Sequence, residues 1–145
     1  MLSDPWLTQN HLYVPDDFAD IQTLMTTTAD EWSRMDPYHL RNAMLRLSQY
    51  HLYVRVLVNQ LTHEALQLKR DYEDVLMRTA QAMGAKTLAE RKAQAQEDPA
   101  CKSVRKEWDD VEAHRALLED VPDAVKELLY SVRKAYDRGA NYGDI

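Results

Sequence analysis

The sequence predicts an all-α fold, a long heptad-patterned central helix with shorter flanking helices, joined into an oligomeric helical assembly. Three observations carry that expectation. The 145 residues include three glycines and five prolines, too few breakers for a turn-rich β fold. From Leu40 onward apolar positions recur four and three residues apart, the spacing of a helix–helix seam. Capping residues also stand where helices should begin, at Asp36-Pro37, Thr87 and Asp98-Pro99. A chain of this length suits one domain. Residues 1–145 are therefore read as a single helical domain, with 1–15 as an N-terminal arm and 139–145 as a flexible tail.

The first helix is expected to start at Asp16 or Asp17, either of which can cap free amides. Phe18, Ile21, Leu24, Met25, Ala29 and Trp32 then form one apolar stripe. This helix should end before Pro37. There Asp36 is a good N-cap, and Pro37 a good first-turn residue, because the proline lacks an amide that would have no partner anyway.

The second helix meets no proline or glycine until Gly84. Leu40, Met44, Leu47, His51, Val54, Val58, Leu61, Ala65, Leu68, Tyr72, Val75, Thr79 and Ala82 alternate at spacings of four and three. A repeat averaging about 3.5 residues is shorter than the helix's own period and imposes left-handed supercoiling on partners. A helix from Tyr38 to Met83, at about 1.5 Å per residue, reaches roughly 65–70 Å, more than a small monomer is expected to cover. Leu47, Val54, Val58, Leu61, Leu68 and Val75 are accordingly expected at an interface between copies of the chain.

Gly84 is a candidate C-cap. Thr87 with Glu90 then makes a capping box, and Asp98-Pro99 restarts the helix. That segment carries Val104, Trp108, Val111, Leu117 and Leu118, and Asp120-Val121-Pro122 marks a kink or a third restart. Val125, Leu128, Leu129, Val132 and Tyr136 continue the apolar stripe to Gly139.

Catalytic signatures are missing. The five histidines are scattered, and His63-Glu64 is not followed by the second histidine that a zinc-protease helix needs. His51 falls on the seam, where a polar residue sets register. Asp109 and Asp110 are adjacent on a helix and diverge, which makes a solvated acidic face rather than a carboxylate pair. None of the glycines forms a phosphate-binding loop. The lone Cys101 has no cysteine to pair with and reads as packing or surface. No catalytic residue, metal or cofactor is expected. The opening residues lack a basic and apolar leader pattern and no run approaches membrane-spanning length, so a cytoplasmic protein without membrane contact is expected.

Charge is unevenly spread. The net charge is −6, yet residues 41–95 hold nine bases against five acids, while 1–40 hold one base against seven acids and 96–145 eight against twelve. In the basic middle, Lys69 and Arg70 lie beside Tyr72, and Arg78, Lys86, Arg91 and Lys92 follow. Cations that track phosphates beside an aromatic stacking face are the means by which single strands are gripped without sequence readout. The same residues are also compatible with an ordinary solvated helix, since Asp71, Glu73 and Asp74 offset the charge and Tyr72 falls on the seam.

The run Leu66-Gln67-Leu68-Lys69-Arg70-Asp71-Tyr72 resembles the L-K-A-R-L-D-Y motif of the UvsY family, small helical recombination mediators of virulent phages. Leu66, Asp71 and Tyr72 match it, and Lys69 stands where the family has arginine. Gln67 replaces its lysine and Arg70 its second leucine, so the basic pair is displaced. Leu117-Leu118 and the helix with Ala124, Val125, Leu128 and Ser131-Val132-Arg133 look like that family's C-terminal assembly region; the pattern covers roughly residues 40–138. The resemblance implies a ring-like homo-oligomer in the host cytoplasm. It would bind single-stranded DNA, free it of its single-strand-binding protein and help load a RecA-type recombinase. The alternative is a helical adaptor or host-takeover protein that binds a protein partner and no DNA, as the acidic total and acidic first helix suggest.

Overall fold

A computed structural model describes residues 18–84 and 87–143. They are almost wholly helical, with no strand and no helix long and apolar enough to cross a membrane among them. The elements are α1 (Ile21–Thr26), α2 (Ala29–Arg34), the long α3 (Pro37–Gln81), α4 (Leu88–Ala95), α5 (Pro99–Leu118) and α6 (Val121–Gly143). They fall into two compact units. One comprises the chain up to Leu57 and from Leu117 onward, the other Val58–Ala116.

The segment before Pro37 is two short helices, not the single helix expected. The break lies in the run Thr26-Thr27-Thr28, whose hydroxyls compete for backbone groups. Thr27 donates to the Thr23 carbonyl at 2.7 Å and turns into extended conformation at φ −70°, ψ 131°. Thr28 then caps α2, accepting from the Glu31 amide at 3.3 Å, while the Glu31 carboxylate accepts from the Thr28 amide at 3.3 Å. That reciprocal box gives two otherwise orphaned amides a partner. The predicted starts of α3 and α5 are observed. Asp36 accepts from the His39 amide at 2.9 Å, and Asp98 from the Ala100 amide at 2.9 Å. The His39 amide, and then the His39 ring, hold the Asp36 carboxyl below the usual range. Thr87 accepts from the Glu90 amide at 3.1 Å.

Two expected termini differ. Gly84 does not take the left-handed conformation of a glycine C-cap. The end of α3 is closed by tightened turns instead, with Met83 donating to the Ala80 carbonyl at 3.2 Å. Nor does Gly139 end the last helix, because α6 runs on to Gly143. The proposed arm 1–15 and position 86 lie outside the described residues.

In the first unit Ile21, Met25, Trp32, Leu40, Leu47, Tyr50, Val54, Val121, Val125 and Val132 are buried. Each such side chain contributes about 1.5–3 kcal/mol on leaving water. α2 packs against α6. Phe18 meets the rings of Tyr50 and Tyr53 at 5.6 and 5.4 Å. Arg46 lies over Phe18 at 5.1 Å and grips Asp20 through two nitrogens at 2.8 and 3.0 Å. That hydrogen bonding is the main cause of a lowered Asp20 pKa. Among the described residues, the buried ones of the second unit are fewer and mostly small: Leu61, Ala65, Ala80, Ala95 and Cys101. Cys101 is a packing residue whose thiol sits 3.6 Å from the Thr79 hydroxyl.

These burials correct the argument for an interface along the seam. Leu47, Val54 and Leu61 are 0, 1 and 7% exposed within one chain, so they need no second copy to leave water. Val58, Leu68 and Val75 are half-buried. The physical reason is that the chain folds its own later helices back, which the length of α3 alone does not reveal.

Candidate nucleic-acid interface

Within the second unit, α3 and α5 border an open cleft of about 720 Å³. Its lining is Tyr72 from α3, Gln96 and Glu97 from the turn before α5, and Lys102, Arg105, Lys106, Asp109 and Asp110 from α5. The α5 residues recur at three, four and seven, which places them on one helix face. Trp108, three residues beyond Arg105, comes to the same region. Its ring centroid is 5.8 Å from that of Tyr72, at an interplanar angle of 42°. Arg105 holds its guanidinium 4.3 Å from the Trp108 ring and 5.6 Å from the Tyr72 ring. Tyr72 and Trp108 are both half-buried.

The charges are mixed but loosely held. Lys102 pairs with Glu97 at 2.9 Å and Arg105 with Asp109 at 3.2 Å, all four side chains being about half exposed or more. Pairs of that kind contribute about 0–1 kcal/mol, so a phosphate can compete for the cations. Lys106 is exposed and belongs to no ion pair among the described residues. Chemically, the site offers the Tyr72 ring with Trp108 adjoining it, a guanidinium and two ammonium groups. No group of three or more His, Cys, Asp or Glu able to hold a metal occurs among the described residues.

Of the candidate DNA contacts named from the sequence, only Tyr72 lines this cleft. Lys69, Arg70 and Arg78 are exposed on α3. Arg91 and Lys92 on α4 are half-buried, and the Arg91 Nε is shielded from solvent without a hydrogen-bond partner. Lys86 is outside the described residues. Trp108, Arg105, Lys102 and Lys106 were missed because they fall in a stretch whose net charge is negative. The available signal was local: Lys102, Arg105 and Lys106 recur at three and four with Trp108 among them. No protein-family model, curated protein or solved structure matches the chain.

Proposed function

We propose that the protein is a non-catalytic, single-stranded-DNA-binding recombination mediator that helps load a RecA-type recombinase, with the Tyr72–Trp108 cleft as its main DNA contact. The carrying observation is Arg105 set against an adjoining pair of rings, 4.3 Å from Trp108 and 5.6 Å from Tyr72, beside an open cleft that Tyr72, Arg105, Lys102 and Lys106 line. An unpaired base stacked on such a face contributes about 1–3 kcal/mol regardless of its identity. The cations supply the salt-dependent part of the affinity. Lys69, Arg70 and Arg78 are secondary phosphate contacts in this reading. The motif resemblance around Tyr72 supports the same function.

The reading includes a homo-oligomer, since repetition of the cleft would turn a mixed-charge site into a multivalent one. With Leu47, Val54 and Leu61 already buried, the large apolar residues of α3 open to a second copy include Leu45, Leu52 and Val56, at 57, 62 and 46% exposure, besides Tyr38, Leu66 and Met77. That stripe also favours a second reading, a helical adaptor that meets a protein partner through α3 and binds no DNA.

The test is a salt-titrated binding assay with a labelled single-stranded oligonucleotide. Binding should be sequence-tolerant, with a log–log salt slope of about −0.7 per phosphate neutralised. Arg105→Glu with Lys106→Glu should weaken it by about tenfold or more at unchanged helicity. Undiminished binding by the double variant removes the cleft from the account. A parent protein that fails to bind even at low salt leaves the adaptor reading in its place.

A further inference from the structure

A second cleft, within the first unit, has a different chemistry. α3 contributes Met44 and Ser48, one turn apart, and α6 contributes Lys126, Leu129, Tyr130 and Arg133; together they line about 390 Å³. Met44 and Leu129 are half-buried aliphatic side chains. Tyr130 is 62% exposed, and the Lys134 ammonium lies 4.6 Å from its ring centre. Lys126 and Arg133 are exposed and enter no ion pair among the described residues. No carboxylate among the described residues lines the cleft. Asp123, Glu127 and Asp137 share α6 but pair with none of these cations.

We infer that this groove docks an acidic amphipathic helix presented by a partner protein. A trough bordered by two helices accepts aliphatic side chains spaced at i, i+3 or i+4 and i+7, which is how helix-in-groove recognition works. The uncompensated Lys126, Arg133 and Lys134 select a helix whose flanks are Glu or Asp, through complementary charge. A nucleic acid suits the groove poorly. Its floor is aliphatic, and among the described residues Tyr130 is the one ring that lines it, without the adjoining second ring that the other cleft has.

The experiment uses the full chain and a fluorescein-labelled helical peptide with leucines on one face and glutamates elsewhere. A peptide of the same composition with the leucines scattered, and phosphatidylglycerol vesicles, serve as controls. Fluorescence anisotropy should show saturable binding of the amphipathic peptide and at least several-fold weaker binding of the scattered one. Lys126→Glu with Arg133→Glu, both exposed positions, should weaken binding by about tenfold or more. Ser48→Trp, which fills the trough without altering charge, should weaken it as well, with circular dichroism confirming an intact fold for both variants. No binding by the parent, equal binding of the scattered peptide, indifference to either variant, or capture of vesicles in place of the peptide would each overturn the inference.

Discussion

The two compact units bury different things. In the first, the buried positions are large: Trp32 at 1%, Leu40 at 2%, Leu47 at 0% and Tyr50 at 4% exposure. In the second they are chiefly Ala65, Ala80, Ala95 and Cys101, while the large rings of Tyr72 and Trp108 remain half exposed. Small residues let backbones approach closely but remove little apolar surface from water, at about 25 cal/mol per Å². The first unit is thus organised for stability. The second keeps its large side chains where a ligand can reach them, and local opening should be easier there.

The largest expected effect is at the centre of the first unit. Trp32→Ala should cost about 3–5 kcal/mol through lost burial and a residual cavity, read as a fall in the urea midpoint. Trp32→Phe should cost far less. The Trp32 Nε1 is buried without a hydrogen-bond partner, so phenylalanine loses volume but no hydrogen bond. Equal losses for the two substitutions would break the contrast between a packing core and a binding rim.

A middle-sized effect concerns pH. Burial, and secondarily the neighbouring Tyr53, pushes the Tyr50 phenol up to about 12 from its ordinary value of 10.0. A raised folded-state pKa means this stabilisation is fully present below pH 10 and is lost as the pH rises toward 12. A shift of that size corresponds to about 2–3 kcal/mol. Urea unfolding at stepped alkaline pH should show the decline in the parent and a shallower one in Tyr50→Phe. Parallel curves would remove Tyr50 from the account.

The smallest effect lies at the end of α3, in the second unit. A Cβ at Gly84 would meet nothing within 4 Å, and the backbone there is not left-handed. Gly84→Ala should therefore be neutral or stabilise by roughly 0.4–1 kcal/mol, by restricting the unfolded chain. A marked loss of thermal stability would show that the turn needs glycine after all.

The parts of the fold legible in sequence are those decided within one turn of helix. The caps at Asp36, Thr87 and Asp98 depend on a side chain reaching an amide two or three residues on. The threonine break was equally local, and Thr28-Ala29-Asp30-Glu31 carried its signal, but the apolar stripe running through it suggested continuity. The identity of what covers the seam was not legible. Periodicity shows that Leu47, Val54 and Leu61 must be covered, yet it says nothing about whether the cover comes from the same chain. The cleft followed the same division. Tyr72 was found from its motif, whereas Trp108 and Arg105 join it only through the packing of α5 beside α3. A sum of charges over 96–145 concealed them, because charge acts through position on a helix face.

Tryptophan fluorescence tests the central claim most directly, because Trp108 is itself one of the two proposed stacking faces. Titration of the parent with a single-stranded oligothymidylate at low salt should quench the emission saturably and reversibly on adding salt. Trp108→Phe, which keeps an aromatic ring at the site, should lose most of that quenching while an independent label still reports binding. Quenching of equal size in the parent and in Trp108→Phe, or none in a parent shown to bind the strand, would contradict the account.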